Sequence, residues 1–189
     1  LKNNDKKRVF FCISVVRQIK SILSEIKSTL HYKSSVIKWV PVENIHLTLS
    51  FLGNISNNNI SNLIKLVENN ISISKFQIRI SKTGVFPSIK SPTVLWLGLD
   101  RGIDQIKILQ NQIEELVKKF NKNYEKKLFI PHITVAKIKK GSPKVDVLPL
   151  LNSVYSPIEI EVNYISMYQS QLFRDGAQYT LMNTFPLTD

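Results

Sequence analysis

Two stretches, "NIHLTLSFLG" at 44–53 and "FIPHITVAKIK" at 129–139, limit what this chain can become more than anything else in it. In the first, Ile45, Leu47, Leu49 and Phe51 alternate with His46, Thr48 and Ser50. A period of two is that of a strand with one buried and one polar face. The second repeats the His-x-Thr spacing at His132 and Thr134. The chain holds three histidines and eight threonines in 189 residues, so two of three histidines acquiring a threonine two places on by accident has odds under about 1%.

Residues two apart on a strand share a face and lie about 6.6 Å apart. One such strand can address a small anion with an imidazole and a hydroxyl. Two of them facing each other across a cleft would surround a phosphate with two proton-transfer groups and two hydroxyl donors. Hydrolysis of a phosphodiester needs that pairing, because one proton is taken from water and another is given to the departing sugar oxygen. Imidazole serves both ends, since its pKa lies near neutrality and neighbours can move two of them apart. His31, in "STLHYKSS", lacks the pattern and reads as ordinary surface.

Helical spacing appears in "RQIKSILSEIKSTL", through Ile19, Ile22, Leu23, Ile26 and Leu30, and in "DQIKILQNQIEELVKKF", with Asp104 as the expected N-cap. A shorter helix is expected over Ile60, Leu63, Ile64 and Val67. The remaining periodic segments, "RVFFCISV", "FQIRISKTGVF", "TVLWLGL", "IEIEVNYISMY" and "QYTLMNTF", read as strands. A strand, a helix and a His-x-Thr strand occur in that order twice. The expectation is a single α+β unit over 1–189 built of two similar halves, with antiparallel or mixed sheets and the helices outside.

Composition narrows the partners. Lysine and arginine number 26 against 14 acidic residues, a net charge of +12, which attracts phosphate-bearing molecules. A chain generally rich in Lys, Asn and Ile would carry some of that charge without any binding surface. No apolar run approaches the roughly 18 residues of a membrane-spanning helix, and "LKNNDKKRVF" offers no signal-peptide cleavage site. The single cysteine, Cys12, excludes a disulfide within the chain and is expected to be buried, so a cytoplasmic location is expected. No HExxH, EF-hand, Walker loop or serine nucleophile elbow is present. No cofactor, metal or obligate protein partner is expected, and a monomer is the default.

These residues together resemble the 2H phosphoesterase superfamily, in its LigT-like branch of RNA 2′,3′-cyclic phosphodiesterases, also called 2′-5′ RNA ligases. The resemblance runs through "RVFFCISV", Trp39 and Pro41, both His-x-Thr segments, "GVFPSIKSPTVLWLGL" and "SQLFRDGAQY", where Ser170, Leu172, Gly176 and Tyr179 fit the family pattern. It implies a bilobal fold with a pseudo-twofold axis and a central cleft lined by both motifs. It further implies metal-independent opening of a 2′,3′-cyclic phosphate to a 2′-phosphate. His46 would be the general acid on the 3′ oxygen, His132 the general base on water, and Thr48 and Thr134 the phosphate donors.

Relatives often carry arginine where this chain has Lys137, and lysine lacks the planar fork of arginine. Regular alternation puts Lys137 opposite the His132 face. Arg174 is a second basic candidate, with a solvated loop arginine as the competing reading. Tyr179 and Phe51 offer stacking surfaces for a base, core packing being the stronger expectation for Phe51. Cleavage or formation of 2′-5′ linkages would use the same four residues, and a non-catalytic RNA-binding module is the rival of another class.

Overall fold

The computed structural model describes residues 6–120, 128–174 and 176–189. In chain order its elements are β1 (Lys6–Ser14), α1 (Val16–Ser28), β2 (Ile37–Trp39), a 3₁₀ turn (Val42–Asn44), β3 (His46–Ser56), α2 (Asn57–Asn70), β4 (Phe76–Phe86) and β5 (Val94–Arg101). They continue with α3 (Ile103–Lys118), β6 (His132–Ile138), α4 (Leu148–Leu151), β7 (Ile158–Val162), β8 (Tyr164–Leu172) and β9 (Ala177–Pro186). The strands join into one sheet in the order β7-β4-β5-β6-β3-β1-β8-β9, with β2 on β6. Every pairing between these strands is antiparallel.

One junction is far thinner than the others. β3 meets β6 through a single residue pair, Leu47↔Ile133, so the sheet divides into two halves, β7-β4-β5-β6 and β3-β1-β8-β9. β1-α1-β3 on one side of this seam matches β5-α3-β6 on the other. The two His-x-Thr strands are therefore neighbours at the seam, each belonging to its own half.

Apolar stripes seat the helices on the core. Ile19, Ile22, Leu23 and Ile26 of α1, Ile60, Leu63 and Val67 of α2, and Ile106, Leu109, Ile113 and Val117 of α3 are all buried in one cluster with Leu47 and Ile133. The His46 and His132 face points the other way, as alternation demands. β1 is buried on both faces from Val9 to Ile13, which accounts for its unbroken apolar run. Cys12 is among these residues, and burial pushes its thiol pKa far above the ordinary value. No helix among the described residues is long and apolar enough to cross a membrane.

Three expectations are corrected. "IEIEVNYISMY" is two strands: β7 pairs with β4 and β8 pairs with β1 and β9, at opposite ends of the strand order. Only Asn163 separates them, so the sheet has to curl until its two ends approach. The parallel bridge Ser74↔Thr188 and the Lys75 amide bond to the Thr188 carbonyl at 2.8 Å tie that closure. The N-cap of α3 is Gly102, at φ 79°, where an added Cβ would stand 2.5 Å from the Gln77 carbonyl oxygen. Asp104 sits inside the first turn instead, its carboxylate still complementing the helix N-terminus. Finally, the helix expected to be shorter is not: α2 has 14 residues against 13 in α1, because it starts well before its apolar stripe, where the Ser56 side chain accepts from the Asn59 amide.

Candidate active site

Each histidine is held by the backbone just before it. The His46 ring Nδ1 lies 2.8 Å from the Asn44 carbonyl oxygen, and the His132 Nδ1 lies 2.7 Å from the Ile130 carbonyl oxygen. A carbonyl only accepts, so Nδ1 donates in both rings and carries their fixed proton. Nε2 is left as the nitrogen whose protonation can change. The Asn44 amide group in turn donates to the Ala177 carbonyl at 2.8 Å, anchoring the 3₁₀ turn to β9.

Aromatic rings fix the imidazoles from the sides. His46 packs on Phe10 at 4.9 Å between centroids and meets Tyr179 at 5.4 Å, nearly edge-on. His132 stands perpendicular to Phe86 at 4.9 Å and meets Trp96 at 6.3 Å. The antiparallel register about Leu47↔Ile133 sets His46 across from Thr134 and Thr48 across from His132. Both hydroxyls are half-buried and line the same cleft as both imidazoles.

An irregularity recurs in both strands at the same place. The β1–β3 register skips Leu49 between the pairs Phe11↔Ser50 and Cys12↔Thr48. The β5–β6 register skips Val135 between Leu95↔Ala136 and Trp96↔Thr134. Each skipped residue lies three places after the motif histidine. An extra residue in one strand reverses which side chains share a face, so Phe51 and Lys137, each five places after its histidine, are brought round into the cleft. Two expectations are thereby corrected. Phe51 is 55% exposed instead of packed in the core, and Lys137 shares the face of His132 and Thr134 instead of opposing it.

The cleft has a volume of about 1480 Å³, more than the roughly 300–1,000 Å³ of ordinary small-ligand pockets. All seven residues singled out in the sequence, His46, Thr48, Phe51, His132, Thr134, Arg174 and Tyr179, line it. Arg174 is exposed on the β8–β9 turn. Lys38, Lys137 and Arg174 bring positive charge, against Glu43 and the buried Glu114. His31 is exposed and does not line the cleft. Among the described residues, no three or more His, Cys, Asp or Glu side chains gather as a metal site.

Burial holds the His46 pKa below the ordinary histidine value. Its bond to the Asn44 carbonyl opposes that effect, and the charge of His132 adds to it. Burial also raises the phenol pKa of Tyr179. Three contributors to the cleft carried no usable sequence signal. The Asn44 and Ile130 carbonyls are backbone groups, and Lys38 lies on a strand three residues long, too short to show a period. Its ammonium stands 3.6 Å from where a Cβ on Gly176 would be, so Lys38 reaches the β8–β9 turn from the other half-sheet.

The family model described as LigT like Phosphoesterase matches residues 13–96. An RNA 2′,3′-cyclic phosphodiesterase of Aquifex aeolicus is 33% identical over 188 residues, covering 95% of this chain and 97% of that protein. The crystal structure of a Thermus thermophilus protein superposes with a TM-score of 0.77 at 23% identity, covering 95% of this chain and 97% of the other. Escherichia coli LigT in complex with 3′-AMP superposes with a TM-score of 0.72 at 22% identity, over 97% and 99% of the two chains.

Proposed function

This chain belongs to the LigT-like phosphoesterase family, and from that premise we propose that it hydrolyses RNA or nucleoside 2′,3′-cyclic phosphates to 2′-phosphates without a metal ion. The observation that carries the reading is the equivalence of the two His-x-Thr strands. Both place an Nε2 and a threonine hydroxyl in one cleft, with both Nδ1 atoms committed to carbonyls. The name of the Aquifex relative and the nucleotide bound by Escherichia coli LigT support the same substrate class.

In the proposed reaction the cyclic phosphate sits over the seam, its non-bridging oxygens accepting from Thr48 and Thr134. Neutral His132 takes a proton from water at Nε2, and the water oxygen forms the new bond to phosphorus. The bond from phosphorus to the 3′ oxygen breaks, and that oxygen receives the proton from Nε2 of protonated His46. One proton enters at His132 and one leaves at His46, so the pair returns to its starting state after a proton exchange with solvent. Burial, with the charge of His132 adding to it, shifts free His46 toward its neutral form. A phosphodiester anion bound beside it favours the charged form, so the acid is armed when substrate arrives. Lys137 offsets the negative charge of the phosphate, and Arg174 adds positive charge at the mouth.

The test is to incubate the protein in excess chelator with the four nucleoside 2′,3′-cyclic phosphates and a cyclic-phosphate-ended RNA, identifying products by phosphorus NMR. Only the 2′-phosphate is expected. Appearance of the 3′-phosphate would reverse the leaving oxygen, and activity seen only on adding metal would end the metal-free mechanism. Turnover of 2′-5′-linked oligonucleotides alone would move the same four residues to that bond.

A further inference from the structure

A cyclic phosphate on RNA is at the 3′ end, so the rest of the strand lies on the 5′ side of the reacting nucleotide and has to leave the cleft along one half-sheet. The two halves differ at the place where it would leave. On β1 the cleft face is set by Phe10, which packs on His46, and by Cys12 and Ser14, which pair with Thr48 and His46. Alternation puts Arg8 on that face. Arg8 pairs with Asn54 of β3, and only the pair Val9↔Gly53 and the skipped Leu52 separate it from Phe10↔Phe51. One step beyond the pair Val9↔Gln169, it also faces the end of β8 where Ser170 pairs with Tyr179.

Arg8 thus stands at the rim of a platform of rings. Phe10 lies 5.6 Å from Phe51 and 4.9 Å from Tyr179 between centroids. The positive charge of Arg8 lowers the Tyr179 phenol pKa against the effect of burial, as a guanidinium close to that hydroxyl would. Arg8 is exposed and forms no ion pair among the described residues, whereas Arg79 and Arg101 are tied to Asp100 and Glu159. The matching place in the other half, two residues before Val94 as Arg8 is two before Phe10, is Pro92, which carries no charge and no aromatic ring. An exposed ring and a half-buried one, Phe51 and Tyr179, beside an unpaired guanidinium are what single-stranded nucleic acid binds, bases on the rings and phosphate on the fork.

We propose that Arg8, with the rings of Phe51 and Tyr179, forms the subsite for the nucleotide 5′ to the reacting terminus, the guanidinium holding the phosphodiester that joins the two. The inference rests on the reading of the cleft as a cyclic phosphodiesterase site. It makes the enzyme a reader of RNA ends in preference to mononucleotides, with the strand leaving over β3-β1-β8-β9.

The experiment measures binding of two product-like ligands that undergo no turnover, a nucleoside 2′-phosphate and a trinucleotide ending in a 2′-phosphate, by calorimetry at two salt concentrations. The wild type is expected to bind the trinucleotide at least about tenfold more tightly. Arg8→Gln should remove most of that advantage, change mononucleotide affinity less than about twofold, and reduce the salt slope by about one. Arg8→Lys should recover only part of the loss, because it restores charge without the fork. Equal wild-type affinity for the two ligands, or equal weakening of both by Arg8→Gln, would overturn the subsite. Arg8-dependent preference for the trinucleotide with no turnover of any cyclic phosphate would instead sink the hydrolase reading and leave the subsite standing.

Discussion

The two strands at the seam share a backbone plan and differ in what hangs on it. In each, the imidazole Nδ1 donates to the carbonyl two residues earlier, the threonine follows at the second place, and a skipped residue at the third turns the fifth into the cleft. That fifth residue is Phe51 in one strand and Lys137 in the other. The rings against the histidines differ too, Phe10 and Tyr179 around His46, Phe86 and Trp96 around His132. A symmetric frame brings two imidazoles to one cleft; in the proposed reaction their unlike surroundings let one give a proton while the other takes it. The ring on one side suits a base, and the ammonium on the other suits the phosphate.

Removing the imidazoles is the most severe way to break this comparison. His46→Ala and His132→Ala should each reduce kcat by about 10²–10⁴-fold, and the double variant should lose little more than either alone, because the two act in one step. Both side chains line the cleft, so thermal unfolding should show folded protein in every case. A loss of only a few-fold in one variant would mean that the two strands are not chemical partners.

The next effect falls on one half-sheet alone. An added Cβ at Gly84 would lie 2.1 Å from Cζ2 of Trp96, a ring that packs on Phe86 at 5.1 Å and borders His132. Gly84→Ala should therefore destabilise by about 1–3 kcal/mol through overpacking, and lower kcat by displacing the rings that orient His132. Unchanged denaturant midpoint and unchanged kcat together would show that those rings do not position the imidazole.

The motif pair and the long helices were legible because each is written in a period along its own segment. The faces of Phe51 and Lys137 were not. A bulge is a property of two paired strands, and nothing in "HLTLSF" or "HITVAK" announces the residue that the partner skips. The division of "IEIEVNYISMY" left a fainter trace: buried residues fall on Ile160 and Val162, with Ile158 half-buried, then on Ile165 and Met167, and that slip in parity marks Asn163 as the break. Lys38 and the two carbonyls that hold the histidines became visible only when distant segments were brought together.

Exchanging roles at the fifth position sharpens the comparison at smaller cost. Phe51→Ala should raise KM about tenfold by removing a base-stacking surface worth about 1–3 kcal/mol, with kcat nearly kept. Lys137→Ala should reduce kcat/KM by a similar factor with a shallower dependence on phosphate charge, and Lys137→Arg should restore it through a two-pronged contact. Steady-state kinetics on a short RNA ending in a 2′,3′-cyclic phosphate separates the two patterns. A kcat defect in Phe51→Ala as large as that of Lys137→Ala would mean that both halves grip the phosphate.

The smallest effect is on pH dependence, and its sign follows from where His46 sits. Burial depresses its folded pKa, while the unfolded chain titrates near the ordinary value of about 6.5. Between the two, the unfolded state binds more protons than the folded one, so stability rises with pH across that window. Above about 6.5 the contribution is fully present; it is lost as pH falls through the folded value. Urea unfolding of wild type and His46→Gln at several pH values should show a shallower pH slope in the variant below about 6.5. In the same window, NMR titration of the imidazole should place His46 below that value in the free protein and raise it on binding a 2′-phosphate. A His46 that titrates at or above the ordinary value in the free protein would remove the step in which substrate arms the acid, and with it the reason for unlike rings around two like imidazoles.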